Sequence, residues 1–237
     1  MIQVFSNQSC IVGEEISLEE KEAHHVFDVL RVKENETIRV ISGGKAYFAQ
    51  AIRKPLVKIV EEILSNSSSK EITLCASLIK QDKFEWMIQK CVELGVTRIV
   101  PFESKYSVVH IDSKKEAKKL ERWNAIALAA CKQSNRTSLV EITPVQTLSS
   151  LKNYCSEINV VAYEKENTKH LAHALNQPFN SITVCIGCEG GLDIKEVNQL
   201  EEMGFVSCSL GNNILRAETA ACYLLSCIEY QAHVKGE

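Results

Sequence analysis

The sequence lacks the features that mark several common classes of protein. Neither G-x-G-x-x-G nor G-x-x-x-x-G-K-[ST] occurs among its 237 residues, which argues against a dinucleotide-dependent oxidoreductase. No apolar run approaches the ~20 residues of a membrane span, and no basic segment followed by an apolar one opens the chain. The ten cysteines have no even, compact spacing. We therefore expect a cytoplasmic protein with reduced thiols, no signal peptide and no membrane partner.

The net charge of −3 hides an uneven distribution. Residues 72–136 carry 12 basic and 7 acidic side chains, whereas the regions on both sides are acidic overall. A local basic face attracts a phosphate backbone even when the whole protein is acidic. The run from Lys114 to Arg122 is either part of such a face or the solvated side of a helix.

Residues 1–68 are predicted to form a small β-rich domain. The β-prone runs Ile38–Ile41 and Tyr47–Ile52 are joined by Ser42-Gly43-Gly44-Lys45, which is typical of a hairpin turn. A phosphate-binding loop is the weaker interpretation of Gly-Gly-Lys, since no helix pattern follows it. The Ser/Asn cluster Ser65–Ser69 predicts a linker and a domain boundary.

Residues 69–237 alternate between strand-like and helix-like segments. Predicted strands include Arg98–Phe102, Ile158–Tyr163 and Ile182–Ile186, and predicted helices include Asp82–Leu94 and Lys114–Gln133. Further helices are expected around Leu171, Val197 and Leu224, with a last strand near Phe205–Leu210. This alternation predicts an α/β fold with a parallel sheet that helices cover on both sides.

Two glycine-bearing turns follow two of these strands. They are Gly187-Cys188-Glu189-Gly190-Gly191 and the segment that begins at Leu210-Gly211. Because open α/β sheets bind ligands at the carboxyl ends of their strands, two such turns predict a binding pocket. Asp193 and Glu196 directly after the first turn form a capping-box pattern, so we interpret both acids as structural.

Other residues capable of chemistry have simpler interpretations. Cys185 and Cys188 form a C-x-x-C, but a structural zinc site usually needs a second pair, and Cys185 falls within a predicted strand. We therefore expect neither a metal site nor thiol redox chemistry there. His24 and His25 are adjacent, so their side chains diverge; hydrogen bonding or RNA contact is the better interpretation than metal ligation.

Several motifs together resemble one family of RNA methyltransferases. They are His24-His25 with Val29–Val32, Lys80–Lys83, Ile88–Val96, Ile99–Pro101, Glu121–Trp123, Cys131–Thr137 and the two glycine-bearing turns. This order and spacing are similar to the knotted SPOUT-class family that methylates N3 of a uridine in small-subunit 16S ribosomal RNA. The chain departs from the family at Cys188, where proline is usual, and at Asn212-Asn213. Because proline stiffens a loop, Cys188 is expected to loosen this turn.

The resemblance implies a fold, a cofactor and partners. It implies a small PUA-like β-barrel domain that binds RNA, followed by an α/β methyltransferase domain with a C-terminal trefoil knot. S-adenosylmethionine is the implied methyl donor, and 16S rRNA in the small subunit is the implied substrate. A homodimer is also implied, with the Ala217–Tyr230 helix either at its interface or in the ordinary core.

The resemblance also implies which residues act. The implied cofactor-binding residues are Ala162, Tyr163, Ile186, Gly187, Glu189, Gly190, Gly191, Leu210, Gly211, Ile214, Leu215 and Arg216. Glu189 and Glu218 are candidates to take the proton from uracil N3, and Arg216 to stabilise negative charge on the uracil oxygens. The expected RNA contacts are Arg31, Lys80, Lys83, Lys105, Arg122, Lys132 and Arg136. The alternatives are a ribose 2′-O or tRNA methyltransferase of the same class, and a non-catalytic RNA-binding adaptor.

Overall fold

The fold is given by a computed structural model, which describes residues 1–64 and 70–234. These residues divide into two compact units. The first contains residues 1–64 and 131–138, and the second contains residues 70–130 and 139–234. The predicted linker Ser65–Ser69 and the boundary placed at residue 68 lie outside the described residues. Residues 131–138, which the sequence analysis placed in the C-terminal domain, belong to the first unit.

Five strands form a mixed sheet in the first unit. They are β1 (Gln3–Phe5), β2 (Glu15–Ser17), β3 (Thr37–Ser42), β4 (Lys45–Arg53) and β5 (Leu56–Ile63). The order is β1-β3-β4-β5-β2, in which β1 runs parallel to β3 and all other neighbours are antiparallel. A short helix α1 (Glu20–Ala23) continues into a π-helical turn at His24–Val29. The predicted β-rich character of this region is confirmed.

The predicted hairpin between β3 and β4 is also confirmed. Ser42 pairs with Lys45, and the two residues between them, Gly43 and Gly44, have φ values of 56° and 78°. A type I′ turn needs positive φ at both central residues, which glycine adopts without steric cost. The Gly-Gly-Lys sequence therefore belongs to the hairpin that joins β3 and β4.

Residues 131–138 are tied to the first unit by polar contacts. The Gln3 side-chain amide donates to the Arg136 carbonyl at 2.8 Å, and Lys132 Nζ lies 2.6 Å from Glu22 Oε1. Both Gln3 and Glu22 are buried. Buried polar groups need such partners, so these contacts explain why the segment belongs to this unit.

The second unit contains a parallel six-stranded sheet. Its strands are β6 (Glu71–Ser77), β7 (Arg98–Phe102), β8 (Glu141–Ile142), β9 (Ile158–Ala162), β10 (Ser181–Ile186) and β11 (Val206–Cys208). Their order is β11-β9-β10-β6-β7-β8, and every neighbouring pair is parallel. The predicted α/β fold with a parallel sheet is confirmed. β11 is shorter than predicted, because Ser209 and Leu210 lie beyond the last sheet pair.

The helices of residues 70–234 follow the predicted pattern. They are α2 (Gln81–Glu93), α3 (Ser113–Gln133), α4 (Leu171–Ala174), α5 (Ile194–Glu202) and α6 (Ala217–Val234), with a 3₁₀ turn at Leu148–Tyr154. The buried side chains of α2 are the five that its periodicity predicts: Phe84, Met87, Ile88, Cys91 and Val92. Among the described residues, no helix is long and apolar enough to cross a membrane.

The strand order places a topological switch point between β6 and β10. From β6 the chain passes through α2 to β7 on one side, whereas from β10 it passes through α5 to β11 on the other side, beyond β9. Loops that leave neighbouring strands in opposite directions open a crevice at the carboxyl edge of the sheet. The functional site is therefore expected at the carboxyl ends of β6, β9, β10 and β11.

Candidate active site

A cavity of about 240 Å³ lies at this edge of the sheet. Three loops line it, and they leave the carboxyl ends of β9, β10 and β11. Of the residues that the resemblance assigns to the cofactor, the following line the cavity: Ala162, Tyr163, Ile186, Gly187, Glu189, Gly190, Gly191, Leu210, Gly211, Ile214 and Leu215. The structure thus brings together residues that are up to about fifty positions apart in the chain.

Several lining residues were not among the predicted site residues. Glu164 continues the loop after β9, Cys188 lies inside the glycine-bearing turn, and Ser209 precedes Leu210. Their position immediately after predicted strands is the signal that would have identified them. Arg216 was predicted to bind the cofactor, but it is exposed and does not line the cavity.

The loop after β10 packs closely against its surroundings at Gly187 and Gly191. A Cβ on Gly187 would lie 2.8 Å from the Gly191 carbonyl carbon and 3.0 Å from Leu192 Cγ. Gly191 has φ of 73°, and a Cβ there would lie 3.0 Å from Glu164 Oε1. The loop therefore folds tightly on itself and closely approaches the loop after β9. Side chains at these positions would force apart the segments that line the cavity.

The predicted capping box at the start of α5 is confirmed. Asp193 Oδ1 accepts a hydrogen bond from the Lys195 amide at 2.9 Å, and Glu196 Oε2 accepts one from the Asp193 amide at 2.9 Å. These contacts satisfy amide groups that the helix itself leaves free. Asp193 and Glu196 therefore anchor the end of the glycine-bearing turn, as the structural interpretation expects.

Asp193 also holds the loop that follows β7. Its second oxygen accepts hydrogen bonds from Lys105 Nζ at 2.5 Å and Tyr106 Oη at 2.7 Å. The Lys105 ammonium, the Lys195 amide and the Tyr106 hydroxyl together hold the pKa of the Asp193 carboxyl well below its usual value. The charge of Lys105 is thus engaged by a carboxylate within the protein.

Lys83 lies between the two candidate proton acceptors. Its Nζ is 3.9 Å from Glu189 Oε1 and 3.8 Å from Glu218 Oε1. Glu189 lines the cavity, and Glu218 lies in the first turn of α6 between the lining residues Ala217 and Ala220. One carboxylate comes from the loop after β10 and the other from the first turn of α6, and both lie within 4 Å of one ammonium beside the cavity.

The seven cations predicted to contact RNA have different surroundings. Four of them lie beside carboxylates: Lys83, Lys105, Arg122 and Lys132. The carboxylate beside Arg122 is that of Glu85, and the two contacts are 2.5 and 2.7 Å long. Burial lowers the pKa of Arg136. Arg31 and Lys80 are exposed, and their side chains make no ion pair with the part of the chain that the structure describes. These two offer the least compensated charge of the set.

The C-x-x-C cysteines are buried. Cys185 is fully buried within β10, and burial raises the pKa of its thiol well above the usual value. Cys188 lines the cavity, where its Sγ lies 3.6 Å from the Gly191 carbonyl oxygen. Because the Cys185 thiol resists ionisation, it is a poor nucleophile and metal ligand. His24 Nδ1 lies 2.7 Å from Asp28 Oδ2, which agrees with its hydrogen-bonding interpretation.

Glu166 shapes the loop after β9. Its Oε1 accepts hydrogen bonds from the Thr168 hydroxyl at 2.6 Å, the Thr168 amide at 2.7 Å and the Lys169 amide at 3.1 Å. Its Oε2 accepts one from Ser207 of β11 at 3.0 Å. These donors, led by the Thr168 hydroxyl, lower the pKa of the Glu166 carboxyl to about 2.

This pKa predicts how stability changes with pH. Because the folded-state pKa of Glu166 is below its ordinary value of 4.5, its stabilising effect is complete above pH 4.5 and is lost as the pH falls towards 2. In urea unfolding, Glu166→Gln should lower the midpoint at pH 7, and the difference from wild type should shrink between pH 4.5 and 2.5. A difference that stays constant over this range would contradict the assigned role.

The sequence matches that of a family of RNA methyltransferases. A family model described as an RNA methyltransferase domain matches residues 66–229. Ribosomal RNA small subunit methyltransferase E of Bacillus subtilis is 34% identical over 232 residues, covering 92% of this chain and 91% of its own length. The same-named protein of Aquifex aeolicus is 34% identical and covers 90% and 93%. The chain belongs to the ribosomal RNA small subunit methyltransferase E family.

A solved structure of the same family has a similar fold. Ribosomal RNA small subunit methyltransferase E from Neisseria gonorrhoeae, crystallised bound to S-adenosyl methionine, aligns with a TM-score of 0.87 at 29% identity. The alignment covers 97% of both chains. The likeness therefore extends over both units and not only over the matched domain.

Proposed function

We propose that this protein methylates N3 of a specific uridine in 16S rRNA of the small ribosomal subunit, with S-adenosylmethionine as methyl donor. The observation that carries the proposal is the cavity that three loops form at the carboxyl ends of β9, β10 and β11. Family membership and the cofactor-bound relative from Neisseria gonorrhoeae support it.

The residues around the cavity fit this cofactor. Tight packing at Gly187 and Gly191 leaves backbone amides and carbonyls near the cavity instead of side chains, and such groups suit adenine and ribose. Ile186, Leu210 and Leu215 supply apolar walls, and the Glu164 carboxylate can accept hydrogen bonds from hydroxyl or ammonium groups. When bound, S-adenosylmethionine supplies an electrophilic methyl group.

Glu189 is the proposed proton acceptor. Glu189 is one of the residues that line the cavity, whereas Glu218 is not. During transfer the uracil N3–H bond breaks, Glu189 takes the proton, and the N3 electron pair forms the bond to the methyl carbon while the old bonding pair stays on sulfur. Arg216, exposed at the start of α6, is the proposed group that stabilises negative charge on the uracil oxygens.

RNA positioning is proposed to involve both units. Arg31 of the first unit and Lys80 of the second are exposed and suited to phosphate contacts. Four further cations would contact RNA with the N–H groups that their ion pairs or hydrogen bonds leave available. They are Lys105, Arg122, Lys132 and Arg136. We further propose that the first unit is the PUA-like domain, that the second contains the trefoil knot, and that the protein works in the cytoplasm as a homodimer.

The test uses small ribosomal subunits from cells that lack this protein. The subunits are incubated with the protein and labelled S-adenosylmethionine, and the rRNA is digested to nucleosides for mass spectrometry. The expected product is 3-methyluridine. Label on a ribose or on another base would overturn the N3 assignment, and no label, with an active control enzyme on the same subunits, would favour an RNA-binding adaptor.

A further inference from the structure

The loop after β7, residues 103–111 (the β7 loop), is fixed by a cluster of buried hydroxyl groups. Ser77 Oγ, at the end of β6, lies 2.6 Å from Ser104 Oγ and 2.9 Å from Ser107 Oγ. Ser104 Oγ and Ser107 Oγ lie 3.1 Å apart, and all three serines are buried. Buried hydroxyls that satisfy one another hold the backbone around them in one arrangement. The β7 loop therefore has a firm base on the sheet.

Tyr106, in the middle of the β7 loop, lies along the glycine-bearing turn that follows β10. A Cβ on Gly190 would lie 2.8 Å from Tyr106 Cβ and 3.6 Å from Tyr106 Cγ. The hydroxyl at the other end of the Tyr106 side chain donates a hydrogen bond to Asp193 Oδ2 at 2.7 Å. One side chain thus spans the turn from Gly190 to Asp193, the residue that caps α5.

Lys105 brings the β7 loop to the same place through two further contacts. Its amide donates to Glu196 Oε1 at 2.8 Å, and its Nζ donates to Asp193 Oδ2 at 2.5 Å. On another side the turn approaches the loop after β9, where a Cβ on Gly191 would lie 3.0 Å from Glu164 Oε1. The turn is therefore held between two loops, of which the loop after β9 lines the cavity and the β7 loop does not.

We infer that Tyr106 is a positioning residue that holds the turn Gly187–Gly191 in the shape that binds S-adenosylmethionine, although Tyr106 does not line the cavity. The inference rests on the proposed function for the identity of the cofactor. A turn with three glycines has many conformations open to it, and ordering it at the moment of binding would reduce affinity. A side chain that orders the turn in advance removes this loss.

The first test measures the turn in the absence of cofactor. The Gly191 amide donates to the Cys188 carbonyl at 3.0 Å, so its hydrogen exchange reports opening of the turn. In Tyr106→Ala, a peptide covering residues 187–193 should exchange about tenfold faster, since freeing the backbone of one residue is worth about that factor. Peptides from β6 and α2 should exchange as in wild type. Val108→Ala, which shortens an exposed side chain of the same loop, is the matched control and should change nothing.

The second test measures cofactor binding by calorimetry. Tyr106→Ala should raise the Kd for S-adenosylmethionine by about tenfold, for the same reason. Tyr106→Phe keeps the ring beside Gly190 while Lys105 still holds Asp193, so its Kd should stay within about threefold of wild type. In methyl transfer by Tyr106→Ala, the KM for the cofactor should rise about tenfold and kcat should change less than about threefold, because the contact shapes binding and touches no reacting group.

A double-mutant cycle tests the contact between Tyr106 and Gly190 itself. Gly190→Ala should weaken cofactor binding by about tenfold, because the new Cβ would lie 2.8 Å from an atom attached directly to the backbone of the β7 loop. Gly190 is not one of the glycines with positive φ, so backbone strain does not add to this loss. In Tyr106→Gly the opposing atom is absent, and the same change at Gly190 should weaken binding less than about threefold.

Three results would overturn the inference. They are equal losses for Gly190→Ala in both backgrounds, wild-type exchange and Kd in Tyr106→Ala, and weaker binding of small subunits by Tyr106→Ala with an unchanged cofactor Kd. The last result would place Tyr106 at the RNA. Tyr106→Leu, which keeps Cβ but cannot donate to Asp193, provides a second variant if circular dichroism shows that Tyr106→Ala does not fold.

These outcomes are separate from those of the proposed function. If the wild-type protein forms no 3-methyluridine, the proposed function fails, while exchange in the turn and calorimetry still decide the role of Tyr106. If Tyr106→Ala behaves as wild type in both measurements, the inference fails, and 3-methyluridine formation by the wild-type protein is untouched.

Discussion

Replacing Gly187 by alanine should weaken S-adenosylmethionine binding by about 10- to 100-fold. The new Cβ would lie 2.8 Å from the Gly191 carbonyl carbon, which is backbone and cannot rotate away as a side chain could. Overpacking of this kind costs about 1–3 kcal/mol, and each 1.4 kcal/mol is a factor of ten in affinity. The loop must move to relieve the contact, and returning it to the shape that binds the cofactor costs part of this free energy, so affinity falls.

Calorimetry with the purified protein measures this effect directly. Gly204→Ala is the matched control, because Gly204 has φ of 99° and open space around its Cβ position, away from the cavity lining. That variant should be less stable in urea but should bind the cofactor like wild type. Equal affinity losses in both variants would mean that general destabilisation, and not the shape of the cavity, controls binding.

Replacing Glu189 by glutamine should lower the single-turnover rate of methyl transfer by about 10²- to 10⁴-fold, the usual contribution of a general base. Glutamine has nearly the same shape, so the loop after β10 and the affinity for the cofactor should change little. The rate is measured with saturating cofactor and excess protein over small subunits. The loss should not be recovered by raising either concentration.

Two further variants identify the proton acceptor. Glu202→Gln changes an exposed glutamate at the end of α5 and should keep the wild-type rate. Glu218→Gln should reduce the rate less than Glu189→Gln, because Glu218 does not line the cavity. The opposite order of the two losses would transfer the role of proton acceptor to Glu218, whose buried Oε2 has no hydrogen-bond partner among the described residues.

Much of the site could be predicted because its parts are local. The turns after β10 and β11 are visible as glycine-bearing segments behind apolar runs, and eleven of the twelve predicted cofactor residues line the cavity. Arg216 is the exception, since the chain turns into α6 at this point and its side chain is exposed. A run of loop residues predicts which part of the backbone lines the cavity, but not where each side chain in it points.

The sequence by itself determined the features that depend on a few neighbouring residues. Examples are the hairpin at Gly43-Gly44, the buried face of α2 and the capping box of Asp193 and Glu196. Positive φ, helical periodicity and cap hydrogen bonds all act within one or two turns of chain.

Only the tertiary structure decided which charges meet. Lys83 lies beside Glu189 and Glu218, and Lys105 beside Asp193, although these partners are far apart in the chain. Residues 131–138 join the first unit for the same kind of reason, through contacts with Gln3 and Glu22. Electrostatic energy depends on distance and burial, which follow from how the loops and helices pack and not from the local residue pattern.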